Sequence, residues 1–200
     1  MAIDIDKLLA ETLLELCQKN DLQKITIKDI LDKSNVSKQT FYNHFRDKAD
    51  LVHYIYTTMV VLHWNPFDKK LDFCDYLIRD FKMTDKYRFF LQPGCRMTGQ
   101  NCLKDYMIDH CIQFDRRWMQ TFYGKPLPKN LEYAVLYHSA AGMYMKISYL
   151  QSDISCSLYE VAENIIEMRH AGLSHLFWEN PEESPYAKAV KKIKNIKRTI

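Results

Sequence analysis

Residues that force the chain to turn are scarce: the 200 residues include only 5 glycines and 6 prolines. An all-β fold of this length would need turn residues at short, regular intervals, so that class is disfavoured. No apolar run reaches the roughly 18 residues that a membrane-spanning helix requires. Met1 to Lys7 carries Asp4 and Asp6 and has no basic stretch leading into a long apolar segment, so no secretory signal is read there. The 6 cysteines form no C-x-x-C pair. Without an export signal the expectation is a cytoplasmic protein with reduced thiols, a Cys95–Cys102 redox pair being the alternative. The phosphate-cradling, dinucleotide-binding, nucleophile-elbow and H-E-x-x-H motifs are all missing, and His110 and Cys111 are adjacent, which is poor metal-ligand spacing on a helix. Neither an enzyme nor a cofactor nor a metal is therefore expected.

What is present is apolar material with helical spacing. Hydrophobic residues make up 47% of the chain, enough for a substantial core. Ile5, Leu8, Leu9, Thr12, Leu13 and Leu16 lie on one helical face. Thr26 with Asp29 reads as a capping box that opens a second short helix bearing Ile27, Ile30 and Leu31. Ser34-Asn35 closes it, since Asn tolerates the left-handed backbone of a tight turn. Ser37 then caps a third helix, Lys38 to Phe45, with Phe41 and Phe45 one turn apart on the inner side. Two short capped helices braced by an amphipathic first one make a helix-turn-helix head. Net charge is only +3, but between Lys33 and Lys48 stand Lys33, Lys38, Arg46 and Lys48 against the single acid Asp47. Such a local basic patch suits phosphate contact. Further helices are expected over 48–65 (stopped by Pro66), 67–82, 85–91 (stopped by Pro93-Gly94), 100–122, 130–150 and 157–178, the last opened by a Ser157–Glu160 capping box. The fold expected is all-α: a three-helix head over residues 1–48 and a helical body over residues 49–200.

The run Thr26-Ile27-Lys28-Asp29-Ile30, then Val36-Ser37-Lys38-Gln39-Thr40-Phe41-Tyr42-Asn43-His44-Phe45, followed by Lys48 and Leu51, resembles the DNA-binding head of the TetR/AcrR family of transcriptional regulators. The resemblance covers about Ile5 to Tyr56. The segment from Tyr87 to Tyr106, with Gly99-Gln100-Asn101, is similar to the subgroup of dihydroxyacetone-kinase operon regulators. The likeness implies a homodimeric regulator of double-stranded DNA, a ligand-responsive repressor, with Thr26, Lys28, Ser37, Lys38, Gln39, Thr40, Tyr42, Asn43, His44 and Lys48 at the DNA. Lys38, Gln39 and Asn43 would choose sequence, while Tyr42 and His44 would touch the backbone and Lys48 would clamp a phosphate. Asn35 and Gln39 stand where the family often has glycine, so the second difference changes base preference.

The body offers aromatic and methionine stripes that read equally as plain core. The resemblance implies a small-molecule pocket, for which Met59, His63, Met107, Cys111, Phe114, Trp118, Tyr137 and Tyr144 are the candidates. Small residues at Ser139-Ala140-Ala141-Gly142, with the stripe Leu158, Val161, Ile165, Met168, Gly172 and Leu176, suggest a dimer face on the last two long helices. Pro181 and Pro185 mark an exit into a basic tail, Lys188 to Arg198, either a solvated helix end or a weak phosphate attractor. The alternative to a ligand-sensing repressor is a regulator that works through a protein partner, or as an activator, with little direct ligand sensing.

Overall fold

The computed structural model describes residues 4–61, 72–99 and 101–197. They are helical: α1 (Ile5–Cys17), α2 (Ile27–Ser34), α3 (Lys38–His44), α4 (Lys48–Ile55), α5 (Phe73–Lys86), α6 (Arg88–Cys95), α7 (Leu103–Tyr123), α8 (Lys129–Gln151), α9 (Leu158–Arg169), α10 (His175–Phe177) and α11 (Pro185–Lys197). There is no strand among the described residues. The chain packs as two compact units, residues 1–61 with 84–106, and residues 62–83 with 107–200. The first unit therefore runs past residue 48, where the sequence places the edge of the head. The reason is that Leu51, Val52 and Ile55 of α4 are buried and α4 packs on α1.

In the first unit, Leu9, Leu13, Leu22, Ile30, Phe41, Phe45, Leu51 and Ile55 are all buried. The helix ends follow the capping chemistry. Asp4 accepts from the Lys7 amide, and Thr26 and Asp29 form a reciprocal capping box. Asn35 is left-handed at φ 55°, the backbone the α2–α3 turn needs. The rod beginning at Lys48 does not run on to Asn65. A π-helical turn, Tyr56–Val60, follows Ile55, and Val61 is extended. The hydroxyls of Thr57 and Thr58 donate to the carbonyls of His53 and Tyr54 at 2.8 and 2.7 Å, offering those carbonyls a partner outside the α ladder. Asn65 and Pro66 lie outside the described residues.

Pro93 and Gly94 do not stop α6, which carries both to Cys95. Gly94 suits the position, because a Cβ would meet Leu103 Cδ2 at 2.7 Å and that side chain would have to shift. Close packing of α6 on neighbouring leucines replaces the break that the Pro-Gly pair suggests.

The second unit has an aromatic core. Phe73 stacks on Trp118 and meets the edge of Tyr186, all three buried. Two ion pairs are buried in it, Asp80–Lys146 at 2.6 Å and Asp115–Arg169 at 2.5 Å. Burial works against the Arg169 charge, but Asp115 outweighs it and raises the guanidinium pKa. Arg169 Nε and Nη1 find no acceptor. Ser139 donates to the same Asp115 carboxylate at 2.6 Å, so one acid ties α7, α8 and α9 together.

The expected helix over 157–178 begins at the Ser157–Glu160 capping box but is divided. A π-helical turn, His170–Ser174, lies between α9 and α10. Buried Ser174 meets Ser184 at 2.6 Å. The basic tail also differs from expectation. It is α11, with Ser184 accepting from the Ala187 amide and Pro185 as the first residue of the helix. Tyr186, Ala187, Ala189 and Ile193 are buried, and α11 packs on α9. Three of its lysines pair at the surface: Lys191 with Glu182, Lys192 with Asp72 and Asp75, Lys194 with Glu167. The tail is thus held by its apolar side.

Candidate nucleic-acid interface

The third helix has two unlike sides. Phe41 is fully buried and Phe45 nearly so, the rings 6.0 Å apart. Lys38, Gln39, Tyr42, Asn43 and His44 are exposed, and Thr40 is half-buried. This division is what the spacing of the two phenylalanines requires. A helix whose rear is anchored by rings holds its polar side in a fixed direction, as reading base edges demands. Ser37 accepts from the Thr40 amide at 3.0 Å, and its hydroxyl meets the Thr40 hydroxyl at 2.8 Å. Thr26 is likewise engaged, and its hydroxyl holds the Asp29 carboxyl below the usual carboxylate range. Both are exposed caps, which leaves Lys28 as the cation of α2 pointing to solvent on its first turn.

Three cations of the patch are engaged, Lys33 by Glu15 at 2.9 Å, Arg46 by Asp50 and Lys48 by backbone carbonyls. Arg46 pairs with Asp50, its amide and guanidinium both donating to that carboxylate. Lys48 is not the outward clamp expected from the sequence. Its Nζ donates to the carbonyl of Ile25 at 2.7 Å, to Leu22 at 3.0 Å and to Gln23 at 3.4 Å. It ties the loop that joins α1 to α2, and burial lowers its pKa. We expect Lys48→Met to lower stability by about 1.5–3 kcal/mol in a denaturant titration, as charged hydrogen bonds are lost. The salt dependence of DNA binding should stay as in the wild type. A slope smaller by about one counterion would instead mark a phosphate contact.

His44 is held by its Nδ1, 2.6 Å from Asp6 Oδ1 of α1, and Glu15 of α1 pairs with Lys33 of α2 at 2.9 Å. No sequence signal separates Asp6 from an ordinary first-turn acid, because the contact spans 38 positions.

Residues 9–55 match the family model described as bacterial regulatory proteins, tetR family. The head is similar to the N-terminal domain of the TetR family. A curated relative, the HTH-type dhaKLM operon transcriptional activator DhaS of Lactococcus lactis subsp. lactis (strain IL1403), is 31% identical over 55 residues. That alignment takes in 28% of this chain and spans 29% of the relative's length. A solved structure, the dihydroxyacetone kinase operon activator DhaS, superposes with a TM-score of 0.60 at 17% identity, over 88% of this chain and 99% of that one. The likeness in fold therefore extends from the TetR head through the helical body. Among the described residues no helix is long and apolar enough to cross a membrane.

Seven of the eight residues named for a pocket in the body are described. Met59 lies in the π-turn after α4, in the first unit, and His63 lies outside the described residues. Met107 and Trp118 are buried, Trp118 in the aromatic core. Phe114 stacks on Tyr76. Cys111 Sγ sits 3.7 Å from the Ser139 carbonyl, and burial pushes its thiol pKa up to about 12, so it is no thiolate. Tyr137 and Tyr144 are on the outside of α8, 70% and 56% exposed. Of the eight, Tyr137 lines an open groove of about 460 Å³, with His138, Gly142, Ile165, Met168 and Gly172 among its other walls. A Cβ at Gly172 would collide with the His138 ring, so glycine is needed for that approach.

Proposed function

We propose that the protein is a sequence-specific DNA-binding transcriptional regulator, with α3 entering the major groove. The observation that carries this reading is the division of α3, rings inward and Lys38, Gln39, Tyr42 and Asn43 outward. Gln39 is suited to a bidentate pair with adenine, and Lys38 to guanine or a phosphate. Lys28, Thr40, Tyr42 and His44 would fix the helix on the backbone, helped by the caps Thr26 and Ser37. The test is binding to duplexes selected by the wild-type protein from a randomised pool. Gln39→Ala is expected to lose about 1–3 kcal/mol of discrimination at one base pair while retaining non-specific affinity. An unchanged preference would remove Gln39 from the reading, and a wild-type protein that selects no duplex at low ionic strength would end it.

The regulator would act as a homodimer through α8 and α9. Their outer side carries exposed Tyr133, Leu136, Tyr137, Tyr144 and Met168, large side chains that a partner would cover. It also carries small residues, exposed Ala141 and half-buried Gly142, beside the groove. Protruding side chains and a groove on the same side suit a second copy related by a two-fold axis. The expected stripe divides in the structure: Val161 and Ile165 are core, whereas Met168 and Leu176 are exposed. Light scattering at micromolar concentration should give twice the chain mass. Two heads would then meet successive major grooves about 34 Å apart, and a small-molecule effector in the body would shift the population of that spacing. The names of both relatives favour activation of an operon over repression as the outcome. A promoter-reporter assay with and without the protein decides the sign.

A further inference from the structure

We propose that Asp6, at the start of α1, is a positioning residue for DNA binding: its carboxylate holds His44 so that the ring presents Nε2 to a backbone phosphate. This rests on the reading of α3 as the DNA-reading helix. His44 is the last residue of that helix and is exposed, while its Nδ1 meets Asp6 Oδ1 at 2.6 Å. A ring bonded at Nδ1 has one nitrogen left for another partner, and the Asp6 contact fixes where it points. For both nitrogens to donate, one to Asp6 and one to a phosphate oxygen, the ring must be the imidazolium.

The alternative roles of Asp6 make a different forecast. Asp6 is an acid in the first turn of α1, and the pair with His44 is solvent-exposed, its side chains 36% and 40% accessible. Such a pair adds little stability. As a bare negative charge beside DNA, Asp6 would repel phosphate, so its removal would tighten binding. A positioning role predicts the opposite sign.

The experiment measures the affinity of wild type, Asp6→Ala, His44→Ala and the double variant for a duplex selected by the wild-type protein, at several salt concentrations. Asp6→Ala is expected to weaken binding about tenfold, the scale of one lost charge-assisted hydrogen bond. In the His44→Ala background the same change should weaken nothing. His44→Ala should flatten the salt slope by about one, whereas thermal melting of all four proteins should stay close to wild type. Equal or tighter binding by Asp6→Ala overturns the inference, as does an equal loss in both backgrounds, which would mark a structural role. Either result leaves the reading of α3 standing. A wild-type protein that binds no duplex overturns both.

Discussion

Asp115→Ala is expected to destabilise the second unit by about 3–5 kcal/mol. The carboxylate is buried and receives Arg169 at 2.5 Å and Ser139 at 2.6 Å, joining α7, α9 and α8. Its loss would leave a guanidinium buried without a counter-charge, and two of the guanidinium nitrogens, Nε and Nη1, already lack acceptors. The Phe73 ring 5.5 Å from Arg169 offers a π-face but no charge. The double variant Asp115→Leu with Arg169→Met is expected to recover most of the loss, because an apolar pair of similar volume removes the desolvation cost of both ions. Urea denaturation followed by tryptophan fluorescence, at one fixed protein concentration, reads both outcomes. A single variant as stable as wild type would show that water reaches the pair.

Phe41→Ala is expected to cost about 3–5 kcal/mol within the first unit and to abolish binding to every duplex, matched or not. The ring is fully buried, in contact range of Phe45 and Tyr42, and it anchors a helix of only 7 residues. A helix that short has no stability of its own in water. Its direction comes from the two rings, so their removal costs the polar side its orientation. The body should remain folded, because Phe41 belongs to the other unit. Far-ultraviolet circular dichroism would then show a partial loss of helix alongside complete loss of DNA binding. Retained selective binding by Phe41→Ala would mean that α3 is held by something other than its rings. Gln39→Ala provides the contrast, since an exposed side chain alters preference without touching the fold.

The head was legible because its information is local. Thr26 with Asp29, Asn35, and Ser37 with Thr40 act on backbone within a few positions of themselves. The i, i+4 placing of Phe41 and Phe45 decides which side of α3 is dry. Lys48 was legible as a cation but not as a brace, since the three carbonyls it meets lie 23 to 26 positions earlier. The candidate pocket was the least legible part. Periodicity marks an apolar side but does not say whether that side faces a neighbour, as at Trp118, or solvent, as at Tyr137. Likewise Lys191, Lys192 and Lys194 read as a solvated charge run until Glu182, Asp72, Asp75 and Glu167 come alongside.

The amino-acid sequence on its own determined the helical class, the helix-turn-helix head and the polar side of its third helix. Caps, turns and apolar spacing act over one or two helical turns and need no partner from elsewhere in the chain. Tertiary structure alone decided that Asp115 meets Arg169, that Asp6 meets His44, and that the C-terminal basic segment is a docked helix. Each of those depends on groups far apart in the chain, and only packing chooses which distant charge a side chain finds.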